Sequence, residues 1–323
     1  MEMAEKNKEL SYLFLFIIIF SASLVLSYHY VQQVDRPTIE ARIISHNEIL
    51  NKEAPSPYRY RILVPFVSDF FISILKNFIS YKLSFLLIYA FYDFIAIFLI
   101  LFLSFFYFSF WFSQKDSLIG TLLVAISMVV ALRGHYYQPW SLLEAAIFPL
   151  SLILIKKRKE VFLGILIFLA ALNRETAILI PPLYLFCSID FNNFKKSFKK
   201  TFPIFIIFVM IFFTVFIPLR LIMGNADRIQ PEPIMPLLEY NLQPHNLVSS
   251  LVNNAVFFGL FWIPIILGFR YAPKFVKKTV FLIAMYFPLW LLFGGWNETR
   301  LLMLLYPVLV TFGLSYFLKP KDL

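Results

Sequence analysis

Apolar residues recur in long runs separated by short polar stretches. Runs at about 11–27, 62–81, 83–112, 118–132 and 140–155 precede the basic stretch Lys156-Lys157-Arg158-Lys159, and an interrupted run fills 161–189. Further runs follow near 202–222, 251–269, 279–295 and 301–318. About 20 apolar residues in a helix cross a hydrocarbon core of about 30 Å. The pattern therefore predicts an all-α, polytopic transmembrane bundle. The polar stretches at 28–61 and 223–250 are loop-sized and lack a hydrophobic period of their own, so residues 1–323 read as one membrane domain.

Orientation follows from the lysines. Lys6 and Lys8, the stretch 156–159, the cluster Lys195, Lys196, Lys199 and Lys200, Arg270 to Lys278, and Lys319 with Lys321 anchor the cytoplasmic side, which places both termini there. Bulky Tyr28-His29-Tyr30-Val31 after the first run offers no cleavage site, so a retained first helix is expected. Runs between cytoplasmic anchors must cross an even number of times. The weakest run, 62–81, is interrupted by Pro65, Asp69 and Lys76 and is assigned to an interfacial helix within a first outside loop, 28–82. A second large outside loop spans 223–250. About 8 full spans remain, plus a short-helix pair or re-entrant hairpin where Asn173-Arg174-Glu175-Thr176 breaks the run 161–189. Neither half comfortably spans a bilayer, and a charged tip at that depth requires a protein-lined cavity.

Composition narrows the classes. Hydrophobic residues make up 60% of the chain, aromatics 19%, and mean hydropathy is +0.76, which excludes a soluble domain. The net charge of +10 is distributed in loops between apolar helices, as topology requires and nucleic-acid binding does not. There is no P-loop or dinucleotide turn, and Gly totals nine. The histidines lack helical metal-ligand spacing, and the single Cys187 excludes an intrachain disulfide. No cofactor and no metal ligand are assigned, with a divalent metal left open.

Arginine distribution carries the functional signal. Arg36, Arg42, Arg59, Arg61, Arg133, Arg174, Arg220, Arg228 and Arg300 fall on the outside face under this threading, opposite nearly all the lysines. Planar guanidinium forks suit phosphate and carboxylate. Asp35, just after the first helix, is placed to accept a proton from a hydroxyl, with Arg36 beside it. Pro57-Tyr58-Arg59-Tyr60-Arg61 puts Arg59 and Arg61 on one side if extended and splays them if helical. Pro57 favours the extended form, and phosphate or a lipid headgroup is the matching ligand. Arg174 and Glu175 are expensive at membrane depth unless paired or directed at a pathway. Glu298 and Arg300 repeat those side-chain types before the last helix, where a helix-capping role for Glu298 competes. His135 and Gln138 lie in the aromatic turn 133–140. Glu144 and Asp93 line the same cavity or hydrogen-bond a neighbouring helix.

The order of these features resembles the membrane glycosyltransferases of the C-type superfold (GT-C-like), which use sugars carried on polyprenyl phosphate or diphosphate. Asp35, the 62–81 segment and the outside arginines occupy places comparable to that group's acidic first-loop residue, interfacial helices and outward-opening cavity. Pro57–Arg61 before Leu63 and Pro65, the block Asn173–Thr176 and the block Asn297–Arg300 are similar to those of bacterial polytopic proteins of this kind. Arg36 follows Asp35 where a paired acid would stand. The resemblance implies sugar transfer from a polyprenyl-phosphate-linked donor to a glycan, lipid or protein acceptor at the extracytoplasmic face of a bacterial cytoplasmic membrane. Asp35 or Glu175 is the expected base. Arg36, Arg59, Arg61, His135, Gln138, Arg174, Glu298 and Arg300 are the phosphate or substrate contacts. The rival is a transporter or flippase for an anionic lipid or solute, which uses the same arginines without breaking bonds.

Overall fold

The computed structural model describes residues 11–133, 138–224 and 235–321. Within them every regular element is a helix, with no strand. Helix α1 (Tyr12–Tyr30) widens into a π turn, Val31–Asp35, and α2 (Ile39–Leu50) and α3 (Leu63–Leu75) follow. Ser80 and Ser113 start α4 (Tyr81–Ser109) and α5 (Gln114–Ala131) by accepting from Leu83 N and Asp116 N. The bundle continues through α6 (Trp140–Lys156), α7 (Glu160–Asn173), α8 (Ile180–Ser188) and α9 (Phe194–Met223). It closes with α10 (Met235–Leu242), α11 (Pro244–Phe258), α12 (Trp262–Gly268), α13 (Lys274–Lys278), α14 (Val280–Phe293) and α15 (Tyr306–Phe317).

Among the described residues, seven helical stretches are long and apolar enough to cross a membrane, where the pattern predicted about eight. The difference is α6. It has 17 residues, about 25 Å at 1.5 Å per residue, and it is buried along nearly its whole length against α4 and α7. The break at 173–176 is present as expected: α7 ends at Asn173, Arg174 is extended, and a 3₁₀ turn, Glu175–Leu179, leads into α8. The chain is an integral membrane protein of all-helical class.

Three boundaries are corrected. Residues 39–50 form a helix where the polar stretch 28–61 showed no period. Its core-facing stripe is Ile39, Arg42, His46 and Ile49, and half of that stripe is polar. The loop expected at 223–250 already contains α10 and the first turns of α11, with 225–234 outside the described residues. The lysine cluster 195–200 is the start of α9 rather than a loop. The run 62–81 yields a shorter helix, Leu63–Leu75, in which Val64, Pro65, Ser68 and Ile72 are buried while Phe66, Val67, Phe70, Phe71 and Ile74 are exposed.

The last helix is central. Residues Thr299–Leu305 form a 3₁₀ entry, and this entry and α15 are almost wholly buried. Its closest crossing is with α12, where a β-carbon at Gly268 would lie 1.9 Å from Phe312 O and one at Gly313 would lie 2.3 Å from the Phe261 ring. Backbone cannot yield as a side chain can. Gly268→Ala is therefore expected to destabilise at or above the upper end of the roughly 1–3 kcal/mol typical of overpacking. Thermal unfolding in detergent checks this, and an unchanged midpoint would mean that the crossing is looser than described.

Most lysines and most arginines lie at opposite ends, with Lys52 and Lys82 at the arginine end and Arg158 and Arg270 at the lysine end. At one end Lys156 sits over Trp111 and Phe275, Lys278 donates to Ile189 O, and Lys321 N donates to Trp111 O at 2.8 Å. The opposite end gathers the C-termini of α1, α5, α7 and α9 with the N-terminus of α6 and the entry to α15. There lie Arg36, Arg42, Arg59, Arg61, Arg133, Arg174, Arg220 and Arg300. Arg228 is outside the described residues.

Candidate functional site

At the arginine end, segments far apart in sequence meet. Arg61 directs Nε and Nη2 to Glu175 Oε2, each at 3.2 Å, and its guanidinium lies over the rings of Tyr58 and Trp140 at 5.3 and 5.1 Å. Those two rings stack on each other at 5.4 Å. Arg174 and Thr176 both donate to the buried carboxylate of Glu144. Arg300 Nη2 bonds Glu298 Oε2 at 2.7 Å. Tyr58 feels the charges of Arg61, Glu298, Arg300 and Arg174, so the three arginine–glutamate pairs form one electrostatic cluster.

The scaffold explains this convergence. Asn173 Nδ2 donates to Trp140 O at 3.0 Å and ties the end of α7 to the start of α6. Thr299 Oγ1 donates to Val130 O at 3.4 Å, which fixes the entry to α15 against the end of α5. Gln138 Nε2 donates to Tyr58 OH at 3.2 Å and joins the turn before α6 to the first loop. Burial pushes the Arg61 pKa down, Glu175 opposes that shift and Arg174 reinforces it. Tyr58 moves up, again chiefly through burial, with Arg61 opposing.

Two cavities border the cluster. The larger, about 170 Å³, is lined by Ser45, Glu48, Tyr58, Gln138 and Trp140. The smaller, about 20 Å³, is roughly the space of one water and is lined by Tyr30, Gln138, Ser141 and Arg300. Glu175 keeps Oε1 without a donor, and the Nε atoms of Arg174 and Arg300 have no acceptor among the described residues. Each guanidinium has five N–H donors, so one carboxylate does not saturate it. No group of three or more His, Cys, Asp or Glu side chains among the described residues is placed to hold a metal.

Several predicted residues lie elsewhere. Asp35 is 1% exposed and ion-paired to the equally buried Arg42 at 2.5 Å, so its carboxylate is shut away from an acceptor hydroxyl. Arg36 is exposed and bonds Gln32. Arg59 does not share a side with Arg61, because Tyr58–Tyr60 form a 3₁₀ turn that splays them. Arg59 donates instead to Ala54 O at 2.9 Å and Met223 O at 3.4 Å. Beside it Tyr60 OH donates to Gly224 O at 3.1 Å and Lys52 Nζ to Ile222 O at 3.2 Å, so the first loop grips the carbonyl end of α9. His135 is outside the described residues.

Glu144, Trp140, Tyr58 and Thr176 belong to the cluster, although the sequence leaves Glu144 with two readings and assigns the others no contact. Glu144 carried one legible signal, an acid in an apolar helix one turn from its start.

A second polar group sits behind the cluster. His46 is fully buried, with Nδ1 3.0 Å from Tyr89 OH and Nε2 3.6 Å from Asp69 Oδ1. Burial lowers the His46 pKa below its ordinary 6.5, and Asp69 only partly opposes that shift. The folded state thus binds this proton less readily than the unfolded chain does. The contribution of His46 is complete above about pH 6.5 and is lost as pH falls from there through the lowered pKa. Thermal midpoints measured from neutral to acidic pH should decline, and less steeply in His46→Asn. Equal slopes would remove His46 as the cause.

Comparison of the chain with protein-family models, with curated proteins and with solved structures finds no match. The site is therefore read from its own chemistry.

Proposed function

We propose that the arginine end transfers a sugar from a polyprenyl-phosphate-type lipid to an acceptor hydroxyl. The observation that carries the reading is Glu175, which holds Arg61 through Oε2, leaves Oε1 without a donor, and stands beside Arg61 and Arg174. In the reaction the acceptor oxygen bonds the anomeric carbon, the bond from that carbon to the phosphate oxygen breaks, and Glu175 takes the hydroxyl proton. Arg61 and Arg300 stabilise the negative charge left on the lipid phosphate. Asp35 is not the base in this scheme, because its carboxylate faces Arg42 inside the protein. The lysine end is cytoplasmic and the reaction extracytoplasmic, as expected for a bacterial inner-membrane enzyme.

The test is incubation of the purified protein in lipid with a panel of polyprenyl-phosphate and diphosphate sugars and acceptors, wild type against Glu175→Gln and Asp35→Asn. Transfer by wild type and Asp35→Asn, with little by Glu175→Gln, supports the assignment. Undiminished transfer by Glu175→Gln would reject the base. Movement of the lipid across the bilayer without transfer would favour the flippase.

A further inference from the structure

Asp35 and Asp93 present a charge problem. Asp35 closes the π turn after α1, Asp93 lies in the middle of α4, and each is 1% exposed. The π turn packs against α4, so the two carboxylates adjoin each other in the interior beside Arg42. Apart from the Arg42 ion pair, no donor among the described residues reaches any of the four carboxylate oxygens. The groups facing them are Arg42 from α2, Tyr30 from α1, which bonds Arg42, and Tyr89 and Tyr92 from α4.

One arginine cannot neutralise two carboxylates. Two bare carboxylates side by side repel, and a net charge in a dry interior is strongly disfavoured. A proton on one oxygen removes the excess charge and also supplies the donor that the geometry lacks. We propose that Asp35 and Asp93 hold one exchangeable proton between them, a carboxylic acid bonded to a carboxylate, so that the pair balances Arg42. Tyr30 connects this site to the small cavity it lines with Gln138 and Arg300. The proton site thus adjoins the wall of the arginine cluster. It does not depend on the sugar-transfer reading.

Infrared spectroscopy of the full chain in nanodiscs at neutral pH tests the assignment. A protonated-carboxyl stretch should be present, shift when aspartate is labelled with carbon-13, and vanish in Asp93→Asn. The carboxamide replaces the proton as donor, so this variant should keep the wild-type thermal midpoint at neutral pH. It should also lose the decline in midpoint that wild type shows as pH rises above the ordinary carboxyl range of about 3.9, because only the folded chain holds the proton there. The wild-type spectra decide the matter even if the variant fails to fold, because absence of any label-sensitive carboxylic acid band overturns the proposal. So would a band that survives in Asp93→Asn, or a wild-type midpoint that responds to sodium or calcium ions instead of protons, which would make the pair a cation site.

Discussion

Replacing Glu175 by glutamine should lower sugar transfer by about 10²–10⁴-fold, the usual worth of a positioned general base. Glutamine retains an oxygen for Arg61, so the chain should still fold and still bind donor. The loss is expected in kcat more than in KM. If kcat holds and KM rises instead, Glu175 is a binding residue and the proton has another acceptor.

The second large effect concerns Glu144. Its carboxylate receives both Arg174 and Thr176, and both members of the ion pair are nearly dry. Glu144→Ala leaves a buried guanidinium without its counter-charge, which costs about 3–5 kcal/mol in comparable pairs. Glu144→Met combined with Arg174→Met should recover most of that loss, since apolar replacement of a whole buried pair is often neutral. Unfolding measured for Glu144→Met, Arg174→Met and the double variant gives the coupling directly. Additive losses would show that the two side chains act independently.

Much of the architecture was legible because membrane helices are written in long apolar runs and their ends in basic residues. The break at Arg174 and the segregation of arginine from lysine were both readable on those grounds. Helix α2 was not, because Arg42 and His46 occupy its buried stripe and find their partners on the π turn and on α3 and α4. A polar residue with a distant partner looks identical in sequence to a solvated one. The same blindness affected Asp35, whose position after α1 suggested access and whose actual neighbours are Arg42 and Asp93. Arg59 and Arg61 separated because a local backbone choice, turn against extended strand, overrode their spacing. Glu144 became prominent only when Arg174 arrived from another helix.

The grip of Lys52, Arg59 and Tyr60 on Ile222, Met223 and Gly224 has a mechanical corollary. Tyr58 and Arg61 flank that anchor within a few residues, so a sideways swing of α9 would tug on the stacked Tyr58–Trp140 platform and the Arg61–Glu175 bond together. A long-chain lipid entering beside α9 would then shift the Glu175 carboxylate as it arrives.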